Sequence, residues 1–169
     1  MSLSLSLPTR RADQPIRALL GHADGLVRAG LSALLTATAD ANIVVVGSAG
    51  TSQEAEALAR ARRPDIAVID SAMPGLDGPE LTRRIRVAGG CVRVLVLMPH
   101  ITDSSIFGVL RAGAAGVMTA DAGPDELVRA VLGVTAGDAV LAPKIAQRLI
   151  EDVVARPQRA RSTRRPPTP

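Results

Sequence analysis

The stretch Pro64-Asp-Ile-Ala-Val-Ile-Asp70-Ser-Ala-Met-Pro-Gly-Leu-Asp-Gly78 decides the fold. It begins with an unbroken apolar run, ends that run on the carboxylate of Asp70, and continues into a Pro-Gly turn. Runs of this kind are typical of strands that are buried on both faces of a parallel sheet. The sequence therefore places Asp70 at the carboxyl end of a strand, where open α/β sheets form their sites.

Similar apolar runs flank this one on both sides and alternate with amphipathic segments. The runs predict strands at 18–20, 43–46, 66–69, 94–97 and 116–119. The amphipathic segments predict helices at 26–35, 51–62, 78–87, 104–112, 124–136 and 143–154. Five βα units predict an α/β fold with a flavodoxin-like, doubly wound, five-stranded parallel sheet in the order 2-1-3-4-5, plus an extra C-terminal helix.

The same pattern divides the chain into four parts. We predict a disordered N-terminal segment at 1–14, a domain at 15–138, a C-terminal extension helix at 139–155, and an Arg/Pro-rich linker or tail at 156–169. The last segment contains no acidic residue, which is typical of an extended linker.

The composition excludes several classes of protein. The chain has 169 residues, of which 47% are hydrophobic and 21% charged, as expected for a globular domain with a core. One cysteine permits no internal disulfide and no multi-cysteine zinc site. A single aromatic residue, Phe107, argues against a surface that stacks on nucleic-acid bases.

Charge and hydropathy narrow the possible partners. The net charge is +4, but residues 13–152 carry 13 basic and 16 acidic groups, so the excess of arginine lies at the two ends. No basic footprint for nucleic acid is expected on the folded body, and no direct sequence-specific DNA binding by this chain. No apolar run reaches the roughly 18 residues of a membrane helix. Together with an opening segment unlike a signal peptide, this predicts a cytoplasmic protein.

Three further motifs extend the stretch that ends at Gly78. They are Gly25-Leu-Val-Arg-Ala-Gly-Leu31, Leu110-Arg-Ala-Gly-Ala-Ala-Gly116 and Ala120-Asp-Ala-Gly-Pro-Asp-Glu-Leu-Val-Arg-Ala130. As a set, from about residue 15 to 150, the chain resembles a response-regulator receiver domain (CheY-like), most similar to the NarL/LuxR-type branch. In that branch a helix-turn-helix module usually follows, and no recognition-helix pattern follows here.

The resemblance implies a phosphoryl switch in two-component signal transduction and transcription regulation. In the family, a strand-3 aspartate accepts phosphate from a histidine kinase, with Mg²⁺ held by an acidic pair after strand 1. Asp70 matches this phosphoacceptor position. The remaining positions depart from the family: the acidic pair falls on His22 and Ala23, the hydroxyl on Met98, the aromatic on Val117 and the lysine on Ala120.

These departures predict an atypical, degenerate phosphorylation site. Mg²⁺ prefers oxygen ligands in octahedral geometry, and at most Asp70 and the Ala72 carbonyl could supply them, so we expect no cofactor and weak or absent Mg²⁺ binding. Asp24 comes one residue too late for the acidic pair and is predicted to cap the first helix. We interpret His22 as a loop residue without a task, with anion binding or pH sensing as the alternative.

Several functions remain open at this stage. The first is an atypical receiver that acts through protein–protein contacts, as a homodimer, with phosphorylation weak or lost. The alternatives are a conventional response regulator, phosphorylated on Asp70 by a histidine kinase, and a sensor that binds a small metabolite in the vacated pocket near Met98 and Val117. We expect no enzymatic activity, because the sequence places no second carboxylate next to Asp70.

Overall fold

The computed structural model describes residues 13–161, except for the side chains of Asp103 and residues 156–161. One six-stranded sheet carries helices on both faces. The strands are β1 (Ile16–Gly21), β2 (Ile43–Ala49), β3 (Ile66–Asp70), β4 (Arg93–Met98), β5 (Gly116–Thr119) and β6 (Val140–Leu141). They pair in the order β2-β1-β3-β4-β5-β6, and every pairing is parallel.

The five predicted strands and their order are confirmed, but the prediction of a five-stranded sheet is wrong. β6 follows the helix that ends at Ala136 and pairs with β5: the Val140 N–H donates to the Ala115 carbonyl, and the Ala142 N–H to the Val117 carbonyl, both at 3.1 Å. A strand of two residues has no periodicity to detect, so it could not be predicted from the sequence pattern.

Six α-helices connect or follow the strands. They are α1 (Gly25–Ala37), α2 (Ser52–Arg62), α3 (Gly78–Gly89), α4 (Asp103–Arg111), α5 (Pro124–Ala136) and α6 (Pro143–Arg161). A short 3-10 helix, Ala39–Ala41, precedes β2. The first four begin where a side-chain oxygen accepts a backbone N–H of the first turn, from Asp24, Thr51, Asp77 and Thr102.

Helix α6 is longer than predicted. We expected it to end near Val154 and an extended linker to begin at residue 156, whereas the helix continues to Arg161. Proline disfavours a helix interior, but alanine, arginine and glutamine on either side of Pro157 are strong helix formers and outweigh it. The rest of the predicted tail, 162–169, and most of the predicted N-terminal segment, 1–12, lie outside the described residues.

Two apolar layers hold the sheet. One lies between the sheet and helices α2, α3, α4 and the start of α6, and includes Leu81, Ile85 and Ile145. The other lies beneath α1 and α5 and includes Leu35 and Val131. The predicted extension therefore packs on the same core as the predicted domain. Within residues 13–161, no helix combines the length and apolarity needed to cross a membrane.

Candidate functional site

Asp70 lies at the carboxyl end of β3, as the sequence predicted. Asp70 is only 7% exposed, because β1 and β4 flank β3 on its two sides. The Oδ1 atom accepts the Ala72 N–H at 2.9 Å, which turns the chain immediately after the strand. One carboxylate oxygen is therefore already engaged by the backbone.

The other carboxylate oxygen faces His22, in the loop after β1. His22 Nε2 lies 3.2 Å from Asp70 Oδ2. On the far side of the ring, Nδ1 accepts the Asp24 N–H at 3.0 Å, which leaves the proton of a neutral imidazole on Nε2, facing the carboxylate. His22 therefore contacts Asp70 directly, which the sequence analysis did not predict.

Arg28, in α1, is a site residue that the sequence analysis missed. Its Nη1 donates to the carbonyl oxygens of His22 and Ala23, so a guanidinium holds the loop at the two positions where the family has acids. No carboxylate in the described part of the chain pairs with it. The position of Arg28 could have indicated this role, because a basic residue near the start of a helix interacts unfavourably with the helix dipole unless it has a local partner.

The other predicted pocket positions are distributed differently. Met98 and Val117 are buried in the layer on the α3/α4 side and do not line an open mouth. Ala23 and Ala120 are exposed and carry no polar side chain. The Ala120 N–H donates to the Met98 carbonyl, which closes the end of β5 against β4. Of the predicted set, the structure thus brings His22 and Asp70 into contact.

Few oxygen ligands are available around Asp70. The Asp24 carboxylate caps α1, where its Oδ1 accepts the N–H groups of Leu26 and Val27 at 2.8 and 3.4 Å, as predicted. Within residues 13–161, no group of three or more His, Cys, Asp or Glu side chains is arranged to hold a metal ion. The donor set, one carboxylate in contact with an imidazole, does not fit the all-oxygen octahedron of Mg²⁺.

The loop after β5 carries another carboxylate, at Asp121. A hydrogen bond from the Thr119 side chain lowers the pKa of Asp121, assisted by a backbone hydrogen bond and by the charge of Lys144. The only lysine of the chain therefore acts on Asp121 from the first turn of α6.

Comparison with known proteins adds independent evidence. The family model described as "Response regulator receiver domain" matches residues 23–132. The response regulator GacA of Pseudomonas aeruginosa is 36% identical over 135 residues, which cover 79% of this chain and 62% of GacA. The chain thus spans about three fifths of the length of this curated relative.

Two solved structures are similar over nearly their whole length. A two-component response regulator of the LuxR family from Aurantimonas is 34% identical with a TM-score of 0.76, covering 83% of this chain and 99% of that one. The receiver domain of the response regulator NarL from Mycobacterium tuberculosis is 31% identical with a TM-score of 0.69, covering 73% and 98%. Sequence and fold therefore point to the same group of proteins.

Proposed function

This chain belongs to the response regulator receiver domain family of two-component signalling, in its NarL/LuxR-type branch, and from that premise we propose that it is an atypical receiver. In this proposal the module regulates by binding a partner protein, and Mg²⁺-dependent phosphorylation of Asp70 is weak or lost. The proposal concerns the receiver domain, since the chain spans about three fifths of the length of GacA.

The contact between His22 and Asp70 carries the proposal. A phosphoryl group can reach Asp70 only through a carboxylate oxygen, and the described structure has Oδ1 accepting the Ala72 N–H and Oδ2 facing His22 Nε2. An acyl phosphate on Oδ2 would have to displace the imidazole. The contact between His22 Nε2 and Asp70 Oδ2 would thus be lost before the new bond to phosphorus forms.

The groups that would offset phosphoryl charge are also missing. Met98 has no hydroxyl and is buried, and Ala120 has no ammonium. Loss of one preorganised donor costs roughly 3–4 kcal/mol in a transition state, and two such donors are absent here. Arg28 adds positive charge nearby, but its Nη1 is already committed to loop carbonyls.

The experiment is incubation with acetyl phosphate and Mg²⁺, read by intact mass. We expect little or no mass gain corresponding to one phosphoryl group, with Asp70→Asn as the blank. Efficient modification of the parent that Asp70→Asn abolishes would contradict the proposal and favour the conventional regulator, and transfer from a histidine kinase would do the same.

A restored variant supplies the positive control. Changing His22→Asp, Ala23→Asp, Met98→Thr and Ala120→Lys in one protein rebuilds the donor set that the family uses. We expect this variant to gain Mg²⁺-dependent modification under conditions in which the parent does not. If neither protein is modified while both remain folded, the missing donors are not what limits phosphotransfer.

The proposed partner surface is the outer face of α1, and the proposed assembly is a homodimer. Receiver domains often dimerise, and Leu26 at the start of α1 is 82% exposed. The alternative surface beside the last strands is partly covered, since β6 pairs with β5 and Ile145 of α6 is buried. Light scattering of the parent and of Leu26→Asp tests this: the mass should fall from dimer to monomer.

Two alternatives have less support. A metabolite pocket needs Met98 and Val117 at its mouth, whereas both are buried, so we expect no stabilisation by apolar metabolites in a thermal-shift screen.

An enzyme that uses the His22–Asp70 pair needs a free imidazole nitrogen to activate a nucleophile. Nδ1 already accepts the Asp24 N–H, and we therefore propose no catalytic activity.

A further inference from the structure

A groove of about 950 Å³ lies at the amino-terminal edge of the sheet, the edge opposite Asp70. Its walls come from the loops that enter β3, β4 and β5 and from the end of α5. We call it the lower groove and define it by Arg63, Asp65, Arg86, Cys91, Arg93 and Gly137. Its volume lies near the upper end of the range for small-molecule sites.

The charged lining of the lower groove is mainly basic. Three guanidinium groups line it, from Arg63, Arg86 and Arg93, against the single carboxylate of Asp65. Asp65 Oδ2 accepts the Arg17 N–H at 2.8 Å and is thus held by the backbone of β1. Within the described residues, none of the three arginines forms an ion pair with a carboxylate.

Glycines lie next to the three guanidiniums. Gly90, Gly113 and Gly137, each with positive φ, leave open the space that a Cβ would fill. Arg63 Nη1 would lie 2.9 Å from a Cβ at Gly90, the Arg86 guanidinium lies against Gly113, and Arg93 Nη1 would lie 3.6 Å from a Cβ at Gly137. A side chain at Gly90 or Gly113 would therefore crowd the neighbouring guanidinium.

Helix termini explain part of this arrangement. Arg86 Nη1 donates to the Ala112 carbonyl at 3.2 Å and Arg93 Nη1 to the Val134 carbonyl at 3.0 Å, so both neutralise the ends of helices. Each guanidinium has five N–H donors, and these bonds use one apiece. The helix ends therefore account for the placement of two arginines but leave most of their donors unused.

Arg63 has no such explanation. Its side chain makes no hydrogen bond or ion pair with residues 13–161, yet the residue adopts a left-handed conformation, with φ 48° and ψ 58°, at the end of α2. Glycine or asparagine would fit that conformation with less strain. Backbone hydrogen bonds support this conformation: the Arg63 N–H donates to the Ala59 carbonyl at 3.1 Å, and the Arg63 carbonyl accepts from Arg17 Nη1 at 2.9 Å. The Arg63 guanidinium therefore has no partner among the described residues and is available to a ligand.

We propose that the lower groove binds a small anionic ligand carrying at least two phosphate or carboxylate groups, with Arg63 as its principal contact. The residues of the chain outside the described range do not fit this role, because 1–12 and 162–169 contain arginines and no acid. One inorganic phosphate would fill only a fraction of the volume, which favours a ligand with a neutral body between its charges. The site is separate from Asp70 and does not depend on its phosphorylation.

The test is titration of the full chain with pyrophosphate, citrate and adenosine diphosphate, followed by calorimetry and thermal shift at constant ionic strength. We expect saturable binding of at least one probe, and comparison of pyrophosphate with citrate separates phosphate from carboxylate recognition. Arg63→Gln and Arg86→Gln should each weaken binding by about tenfold or more, since each removes a charge-assisted contact. Arg60→Gln, which removes an exposed arginine of α2 outside the groove, should bind like the parent.

Arg63→Gly separates a ligand role from a structural one. It removes the guanidinium but relieves the left-handed strain, so we expect unchanged or higher melting temperature together with the loss of binding. A lower melting temperature with binding intact would overturn the proposal. So would the absence of saturable binding of all three probes, because it places the function of these arginines elsewhere.

Discussion

Replacing Ile145 by alanine tests whether the start of α6 belongs to the folded domain. Ile145 is 0% exposed and lies in the apolar layer formed with α3 and α4. The substitution removes three carbon atoms at about 0.8 kcal/mol each, and the cavity adds to that, so we expect a loss of about 3 kcal/mol. In a chain of this length the melting temperature should fall by about 6–12 °C.

The same helix supplies a matched control. Ile150, five residues later, is 65% exposed, and Ile150→Ala should change stability by less than about 0.5 kcal/mol. Urea unfolding monitored by circular dichroism measures both variants against the parent. If Ile145→Ala costs no more than Ile150→Ala, α6 is not docked on the core, and the packing of the C-terminal segment described above is wrong.

Three further predictions concern local contacts. Asp24→Ala should cost about 1 kcal/mol in urea unfolding, because the cap of α1 is lost, whereas Asp24→Asn should retain most of it. A hydrogen bond from Arg84 lowers the pKa of Glu80, so its contribution to stability is present above the usual pKa of glutamate and is lost as the pH falls through the lowered value. The stability difference between the parent and Glu80→Gln should therefore shrink on acidification, and a difference that grows would contradict this sign. Gly113→Ala should lower the melting temperature, because φ is 98° and an arginine guanidinium fills the space, whereas Gly30→Ala, within α1 and with nothing nearby, should raise it.

The sequence was sufficient for the sheet because the strands are buried on both faces. Runs such as residues 66–69 are apolar throughout, and helix starts carry explicit signals such as Thr51 and Asp77. β6 lacks both kinds of signal: its two residues are half-buried, and tertiary pairing with β5 alone makes them a strand. The pairing of β6 with β5 therefore depends on the rest of the fold and cannot be predicted from residues 140–141 alone.

The candidate site was predicted only in part, for a related reason. The strand order places the ends of β1 and β3 side by side, with Gly21 opposite Ile69, so proximity of His22 to Asp70 was accessible from the topology. The direction of the imidazole was not, because the Asp24 N–H fixes it within the loop. The lower groove could not be predicted either, since most of its lining residues come from four separate segments of the chain, at the ends of α2, α3, α4 and α5.

The residues around Asp70 differ from those of the family at several charged positions together, and the changes in negative and positive charge partly offset one another. The family's arrangement balances three carboxylates with a divalent cation and an ammonium. Here the carboxylates at the His22 and Ala23 positions and the ammonium at Ala120 are absent together. Asp70 instead contacts the His22 imidazole, in a loop whose carbonyls accept hydrogen bonds from Arg28. Under the proposed function, Ala23→Asp alone would add a second carboxylate without a cation, so changes at this site should act as a group, and we expect no single substitution to confer phosphotransfer.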